Sequence, residues 1–339
     1  MFWTNAKVLI TGGASFIGSS LAKALIDRRA MVRVVDSLVS GKIGNIERLR
    51  EHGEVEFRQA DLRELAVARE VMKDVDYVFH LAADHGGRGY VDLHQAACAT
   101  NFALDGVVIN AAREVGVHKL IFASSGCVYP NHRQHDVDAE TYLTEDMVQP
   151  PYDADNTYGW AKLMAELTLK AFYEDYGFRS VSCRYFTVYG PFGVENHAVM
   201  AMIAKAFIRQ DPFEIWGDGS QIRNWTYIDD IVSGTLLAAE KIDDATPINL
   251  GTMERISVIE AAQQICKLLD HHPTFHFRPE MPTGPMNRVA DNSLAQKLIG
   301  WSPAVSFPEG VKRTIEWYTR AKTVAAVQQN LSQLLLERA

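Results

Sequence analysis

Cysteine is scarce in this 339-residue chain: Cys98, Cys127, Cys183 and Cys266 are the full set. They are too few and too scattered for a disulfide framework or a thiolate metal site, and they fit a reducing cytoplasm, the compartment expected here. No apolar run approaches the roughly 18–20 residues that span a bilayer, so no membrane partner is expected. An apolar strand-like run begins already at Lys7, so no secretory leader is expected. Basic excess is also missing: 34 Lys and Arg stand against 42 Asp and Glu, a net charge of −8. That balance argues against a nucleic-acid surface, while allowing a local basic pocket for a diphosphate. Eleven histidines, among them His132, His135, His271 and His272, show no ligand spacing, so no metal is expected. Internal repeats and low-complexity segments are absent.

What remains is the composition of an ordinary globular protein, 47% hydrophobic and 22% charged, long enough for a large α/β unit and a smaller lobe. Short continuous apolar runs at Lys7–Thr11, Met31–Val35, Val55–Gln59, Tyr77–Leu81, Leu120–Ala123 and Ser180–Tyr185 read as buried parallel strands. Helical periodicity separates them, notably over Phe16–Arg28 and Ala99–Val115. Strands alternating with helices predict a Rossmann-type doubly wound parallel sheet. After Tyr189-Gly190-Pro191 the pattern loosens, and Asn249-Leu250-Gly251 reads as a return to the first unit. The expected division is 1–187 with about 229–252 for the dinucleotide-binding domain, 188–228 with 253–320 for a substrate lobe, and 321–339 for a helical tail.

The first strand runs into T-G-G-A-S-F-I-G (Thr11–Gly18), where glycines let a helix N-terminus approach a pyrophosphate. Gly12, Ser15, Phe16, Ile17 and Gly18 are the expected contacts. Ser15 replaces the middle glycine of the usual spacing, which narrows the approach and adds a hydroxyl. Asp36, at the end of the second strand, suits the adenosine ribose hydroxyls and repels a 2′-phosphate, favouring NAD over NADP. Asp61 and Leu62 are candidates for the adenine edge. Downstream, Tyr158 and Lys162 share one helix face by their four-residue spacing, and an ammonium beside a phenol is expected to lower its pKa from about 10. Such a phenol takes a hydroxyl proton while a nicotinamide takes the hydride. Ser125 precedes this pair, and Cys127 adds a second acid/base aimed at a different carbon.

Together with H-L-A-A (80–83), S-S-G-C-V-Y-P (124–130), Y-G-W-A-K (158–162), Y-G-P-F-G (189–193), W-G-D-G-S-Q-I-R-N-W-T-Y-I-D-D (216–230) and K-L-I-G-W-S-P (297–303), these residues resemble the extended short-chain dehydrogenase/reductase family of nucleotide-sugar enzymes over about residues 6–318. The resemblance implies that Ser125 holds the C4 oxygen, Tyr158 is its acid/base, and Lys162 binds the nicotinamide ribose. It places Leu81, Ala82, Ala83 and Asn101 at the cofactor, and Gly86, Gly87, Arg88, Arg223 and Arg288 at a nucleotide-diphosphate sugar, with the last two arginines clamping the diphosphate. Trp216 is expected to pack within the lobe.

The 4,6-dehydratases of the family carry Asp-Glu where Gly126 and Cys127 stand, which removes their elimination chemistry. Cys127 and A-A-D-H-G-G-R-G-Y (82–90) are instead similar to the GDP-mannose 3,5-epimerases, and the setting of His197 is similar to that of the GDP-fucose synthases. The expectation is an NAD-dependent epimerase that oxidises C4, inverts C3 and/or C5 with Cys127 and His197, and re-reduces C4. Alternatives are a UDP-sugar 4-epimerase, a 4-keto-6-deoxyhexose 3,5-epimerase with a reductase step, and a catalytically silent dinucleotide sensor. Relatives are homodimers built through the helices around Ala99–Val115 and Tyr158–Tyr176, so a homodimer is expected.

Overall fold

A computed structural model describes residues 2–336. Its centre is a seven-stranded sheet of β1 (Lys7–Thr11), β2 (Met31–Asp36), β3 (Val55–Gln59), β4 (Tyr77–His80), β5 (Lys119–Ser125), β6 (Ser180–Tyr185) and β7 (Asp244–Leu250). The spatial order is β7-β6-β5-β4-β1-β2-β3, every pairing is parallel, and helices cover both faces. This is the doubly wound fold that the alternating runs predict. Parallel strands need cover on both faces, and the sequence shows it: all six residues of β6 are buried. Edge strand β3, V-E-F-R-Q, carries exposed charge along its length, whereas β1 and β7 expose a charged residue only at their first position.

The order reverses between β1 and β4, and a crevice opens at the carboxyl ends of strands flanking such a point. Everything that lines it leaves those ends: the turn after β1, Asp36 closing β2, the 81–88 segment after β4 and Ser125 closing β5. A buried ion pair fixes β5 and β6 against the helix Asn156–Tyr176. Arg184 donates to Glu166 through Nε (3.0 Å) and Nη2 (2.7 Å), and Glu166 also accepts from the Ser124 hydroxyl. The helix therefore cannot rotate without breaking a satisfied charge pair in a dry interior.

Beyond β6 the chain builds small elements over the crevice. Ile222–Arg223 pairs in parallel with Asn287–Arg288, and Arg223 lies directly across from Arg288 in register. Phe213–Trp216 pairs with Phe275–Arg278, and Thr187–Tyr189 with Trp225–Tyr227. The helix Val258–Leu268 starts at a complete capping box between Ser257 and Glu260. The final helix, Val324–Leu336, buries Val327 and Leu331 in the common core, while 337–339 of the expected tail lie outside the described residues. Among the described residues no helix is long and apolar enough to cross a membrane, and no cluster of side chains is suited to a metal.

Candidate active site

One cavity of about 820 Å³ follows the carboxyl ends of the strands. Its first half is walled by Gly12, Ser15, Phe16, Ile17, Gly18, Asp36, Asp61, Leu62, Leu81, Ala82 and Ala83, so the sequence-derived cofactor residues converge here apart from Asn101. Gly12 has φ +70, and a Cβ there would lie 2.8 Å from the Ala82 amide nitrogen, so only glycine lets the turn pass the end of β4. Asp36 is buried and accepts from the Ala14 and Leu38 amides (3.0 and 2.8 Å), tying the turn to the end of β2. Ser15 starts the helix Phe16–Asp27 without spending its hydroxyl on a cap. Asp61 pairs with Arg63 at the rim, and the hydrogen bonds from Arg63 are what hold its carboxyl below its ordinary range. Asn101 sits beneath the wall, with its Oδ1 accepting from the Asp84 amide (2.7 Å) and its amide donating to the Asp84 carbonyl (2.8 Å).

A polar chain runs under this half. The Leu81 and Ala82 amides donate to Thr11 Oγ1, which leaves the hydroxyl proton for His80 Nδ1 at 2.7 Å. His80 Nε2–H then donates to Asp105 at 3.0 Å, the tautomer that a carboxylate acceptor requires. The second Asp105 oxygen lies 3.9 Å from Lys162 Nζ. Lys162 is buried, and its ammonium has no hydrogen-bond partner among the described residues although the side chain lines the cavity. It rests 4.5 Å above the Phe122 ring and 5.8 Å from the centre of the Tyr158 ring.

That arrangement corrects the expected acidity of the phenol. Burial raises the Tyr158 pKa above its ordinary value, with the charges of Cys127 and Asp105 adding to the rise, and the hydrogen bond with Ser125 opposes it. Lys162 is directed to Asp105 and supplies no comparable relief. Ser125 itself accepts from the Cys127 amide (3.1 Å) as the cap of a short turn, Gly126–Val128, that turns the cysteine back into the cavity.

His197, Gly86, Arg88, Arg223 and Arg288 also line the cavity. His197 caps the helix Ala198–Phe207, and burial pushes its imidazole down to about 4, so it is neutral at pH 7. Its ring stands edge-on to His85 at 6.2 Å, and His85 is in turn 6.2 Å from the Tyr158 ring. Gly87 lies behind the wall, where a Cβ would meet the Asn196 carbonyl at 1.6 Å, so the 82–90 loop packs directly on the segment carrying His197.

The three arginines are engaged within the protein in different ways. Arg288 donates to Gln134 Oε1 (2.6 Å), Cys127 Sγ (3.2 Å) and Asp155 Oδ2 (2.9 Å). Arg88 is held by Asp92 and by the same Asp155 oxygen at 2.7 Å. Arg223 donates to the Ile222 and Thr283 carbonyls, and burial, reinforced by Arg288 and Arg88, pushes it down to about 9. A cation so disfavoured marks where an anion is wanted. Trp216 is half-buried, pairs with Arg278 in the lobe and also lines the cavity.

Residues 8–251 match the pattern of the NAD dependent epimerase/dehydratase family. The chain belongs to that family. GDP-mannose 3,5-epimerase 1 of Oryza sativa subsp. indica is 33% identical over 323 residues, 93% of this chain and 83% of the relative. UDP-glucuronic acid 4-epimerase from Bacillus cereus, solved with UDP-glucuronic acid and NAD, superposes with a TM-score of 0.82 at 28% identity and covers 93% of this chain and 100% of that one. UDP-glucose 4-epimerase from Thermotoga maritima, solved with UDP-glucose, gives a TM-score of 0.83 at 28% identity, over 92% and 98%.

The chain is therefore an enzyme of an NAD-dependent family, and its site fits the cofactor on its own terms. The turn that only glycine permits at Gly12, the carboxylate closing β2 and the orphaned buried ammonium of Lys162 are the three demands that a dinucleotide answers. The residues that would hold it are the first-half wall and Lys162. Its chemistry there is to accept a hydride from a sugar carbon and return it.

Proposed function

We propose that this enzyme epimerises a nucleotide-diphosphate sugar of the GDP-mannose class at C3 and/or C5 through a transient ketone at C4. The observation that carries the reading is the meeting of Ser125, Tyr158, Cys127 and His197 in one cavity, which they line from three segments of the chain. A C–H beside an alcohol is not acidic, but beside a ketone it is lost as an enolate. Inversion then needs one group to remove a proton and another to return it to the opposite face.

Tyr158, hydrogen-bonded to Ser125, takes the C4 hydroxyl proton and gives it back at the end. A neutral His197 is suited to accept the carbon proton, and Cys127 then donates from its thiol. Burial keeps the imidazole uncharged and therefore open to a proton. Arg288, donating to Cys127 Sγ, supports the charge that develops on sulfur. Arg223, seated opposite Arg288 and without a carboxylate bonded to it, is the diphosphate anchor. The 33% identity to a GDP-mannose 3,5-epimerase supports the substrate class.

Action at C4 alone, on a UDP-sugar, is the second reading, favoured by the likeness to the Bacillus cereus UDP-glucuronic acid 4-epimerase. A homodimer belongs to the proposal. Trp160, Met164, Tyr173 and Tyr176 on the helix Asn156–Tyr176 and Phe102 on the adjacent helix Asn101–Glu114 are exposed, whereas Leu163 and Leu169 serve the protomer core. The test is incubation of the purified enzyme with GDP-mannose and, separately, UDP-glucuronate, with no cofactor added and products resolved by NMR. C3 or C5 epimers of the first support the reading. A C4 epimer of the second, with no change in the first, replaces it.

A further inference from the structure

Asp155 precedes the helix that carries Tyr158 and Lys162, and its Oδ2 accepts from two guanidinium groups at once: Arg88 Nη1 at 2.7 Å and Arg288 Nη2 at 2.9 Å. Arg288 has three donors in use. Nε is fixed on Gln134, a fully buried side chain that donates to the Tyr129 and Pro130 carbonyls, so that anchor does not move. With Nε fixed and Nη2 on Asp155, the planar fork has one remaining direction for Nη1, and that direction is Cys127 Sγ at 3.2 Å. Asp155 also donates its own backbone amide to the Cys127 carbonyl at 2.9 Å, so the carboxylate and the cysteine move as one unit.

Charges of alternating sign run from Asp92 through Arg88, Asp155 and Arg288 to the sulfur. Asp155 is buried, and although burial raises its pKa, Arg288 and Arg88 together hold the carboxyl below its ordinary value. Arg288 alone cannot serve both the carboxylate and the sulfur: paired with one uncompensated anion, its field at Sγ is largely cancelled. Arg88 supplies the second cation. It is clamped by Asp92 through Nε (2.7 Å) and Nη2 (2.6 Å), so its remaining nitrogen is aimed at Asp155.

We propose that Asp155 and Arg88 are positioning residues for Cys127: Asp155 aims Arg288 at the sulfur, and Arg88 neutralises Asp155 so that Arg288 keeps its charge for Cys127. Because Arg88 opens the short helix Arg88–Leu93 that follows the 82–87 loop, docking of that loop readies the cysteine. The inference deepens the epimerase reading, which gives Cys127 its role, but its test needs neither substrate nor turnover.

The test is the rate of Cys127 carboxamidomethylation by iodoacetamide at pH 7, followed by peptide mass spectrometry. The thiolate is the form alkylated, so the rate reads how well the surroundings support charge on sulfur. Cys98, Cys183 and Cys266 are buried and report unfolding in the same sample. Arg223 and Tyr158 also couple electrostatically to Cys127, and none of the variants touches them.

Arg88→Met leaves an uncompensated carboxylate near the sulfur and is expected to slow alkylation about three- to tenfold. Arg88→Lys, which keeps the cation, should recover most of that rate, and Arg88→Met combined with Asp155→Asn should react faster than Arg88→Met alone. Wild-type reactivity in Arg88→Met with the buried cysteines still protected overturns the proposal. So does an Arg88→Lys variant as slow as Arg88→Met. Neither result bears on whether the enzyme epimerises a sugar, so the two readings fail separately.

Discussion

The Lys162 ammonium and the Asp105 carboxylate face each other at 3.9 Å beneath the cavity, both buried, with His80 holding the carboxylate from the other side at 3.0 Å. Asp105 is thus what makes a buried lysine tolerable before any cofactor hydroxyl reaches it. Asp105→Asn removes one partner of a buried pair, which costs about 3–5 kcal/mol. Chemical denaturation should read that loss, and it should be partly recovered by saturating NAD. Burial lowers the Lys162 pKa and Asp105 opposes the fall. The folded state therefore binds fewer protons than the unfolded state at alkaline pH, so stability rises with pH in that range, and the rise should be steeper in Asp105→Asn.

On the acid side the histidines decide. Burial lowers both His80 and His197, the latter to about 4. Below the ordinary histidine value of about 6.5 the unfolded chain binds protons that the folded chain refuses, so stability must fall as pH drops through 6 and 5. His80→Asn should flatten that slope at the expense of some stability at pH 7. Urea midpoints measured from pH 7 to pH 5 compare the two.

The two halves of the proposed chemistry separate by mutation. Tyr158→Phe should lower turnover about 10²–10⁴-fold and abolish any transient reduced-cofactor absorbance, since no group then takes the C4 proton. Cys127→Ser and His197→Asn should retain that absorbance and lose carbon epimerisation. A silent sensor would be indifferent to Tyr158→Phe.

Much of this site is legible in the chain because local signals carry it: strand, glycine turn, helix and Asp36 for the first half, Tyr-x-x-x-Lys for the second. What sequence misjudges is partnership across distance. Asp105 lies four residues after Asn101 on the same helix, a spacing that could have flagged it, yet its pairing with His80 and Lys162 exists only once β4 and the Asn156–Tyr176 helix are packed. Asp155 and His85 were overlooked for the same reason: one is a residue before a helix, the other sits in a glycine-rich loop, and neither has a local motif. The phenol was expected to be acidified by its lysine neighbour, but the fold buries both and turns the ammonium toward a carboxylate. The hydrogen bonds of Arg288 to Gln134, Cys127 and Asp155 likewise join segments far apart in the chain, and no local motif announces them.

The proposed dimer has its own test. Trp160 and Met164 are 39% and 48% exposed on consecutive turns of one helix, next to a second helix carrying exposed Phe102. Trp160→Glu with Met164→Glu should convert a dimer to a monomer in analytical ultracentrifugation without unfolding, because neither side chain belongs to the protomer core. A protein that sediments as a monomer before mutation contradicts the dimer.

The measurement that bears most directly on the central claim is deuterium incorporation from D2O into GDP-mannose, followed by NMR position by position with no added cofactor. The account predicts deuterium at C3 or C5 together with new epimers, none at C4, and no new epimers in Cys127→Ser. Epimers that form without ring deuterium, or epimerisation that persists undiminished in Cys127→Ser, would contradict it.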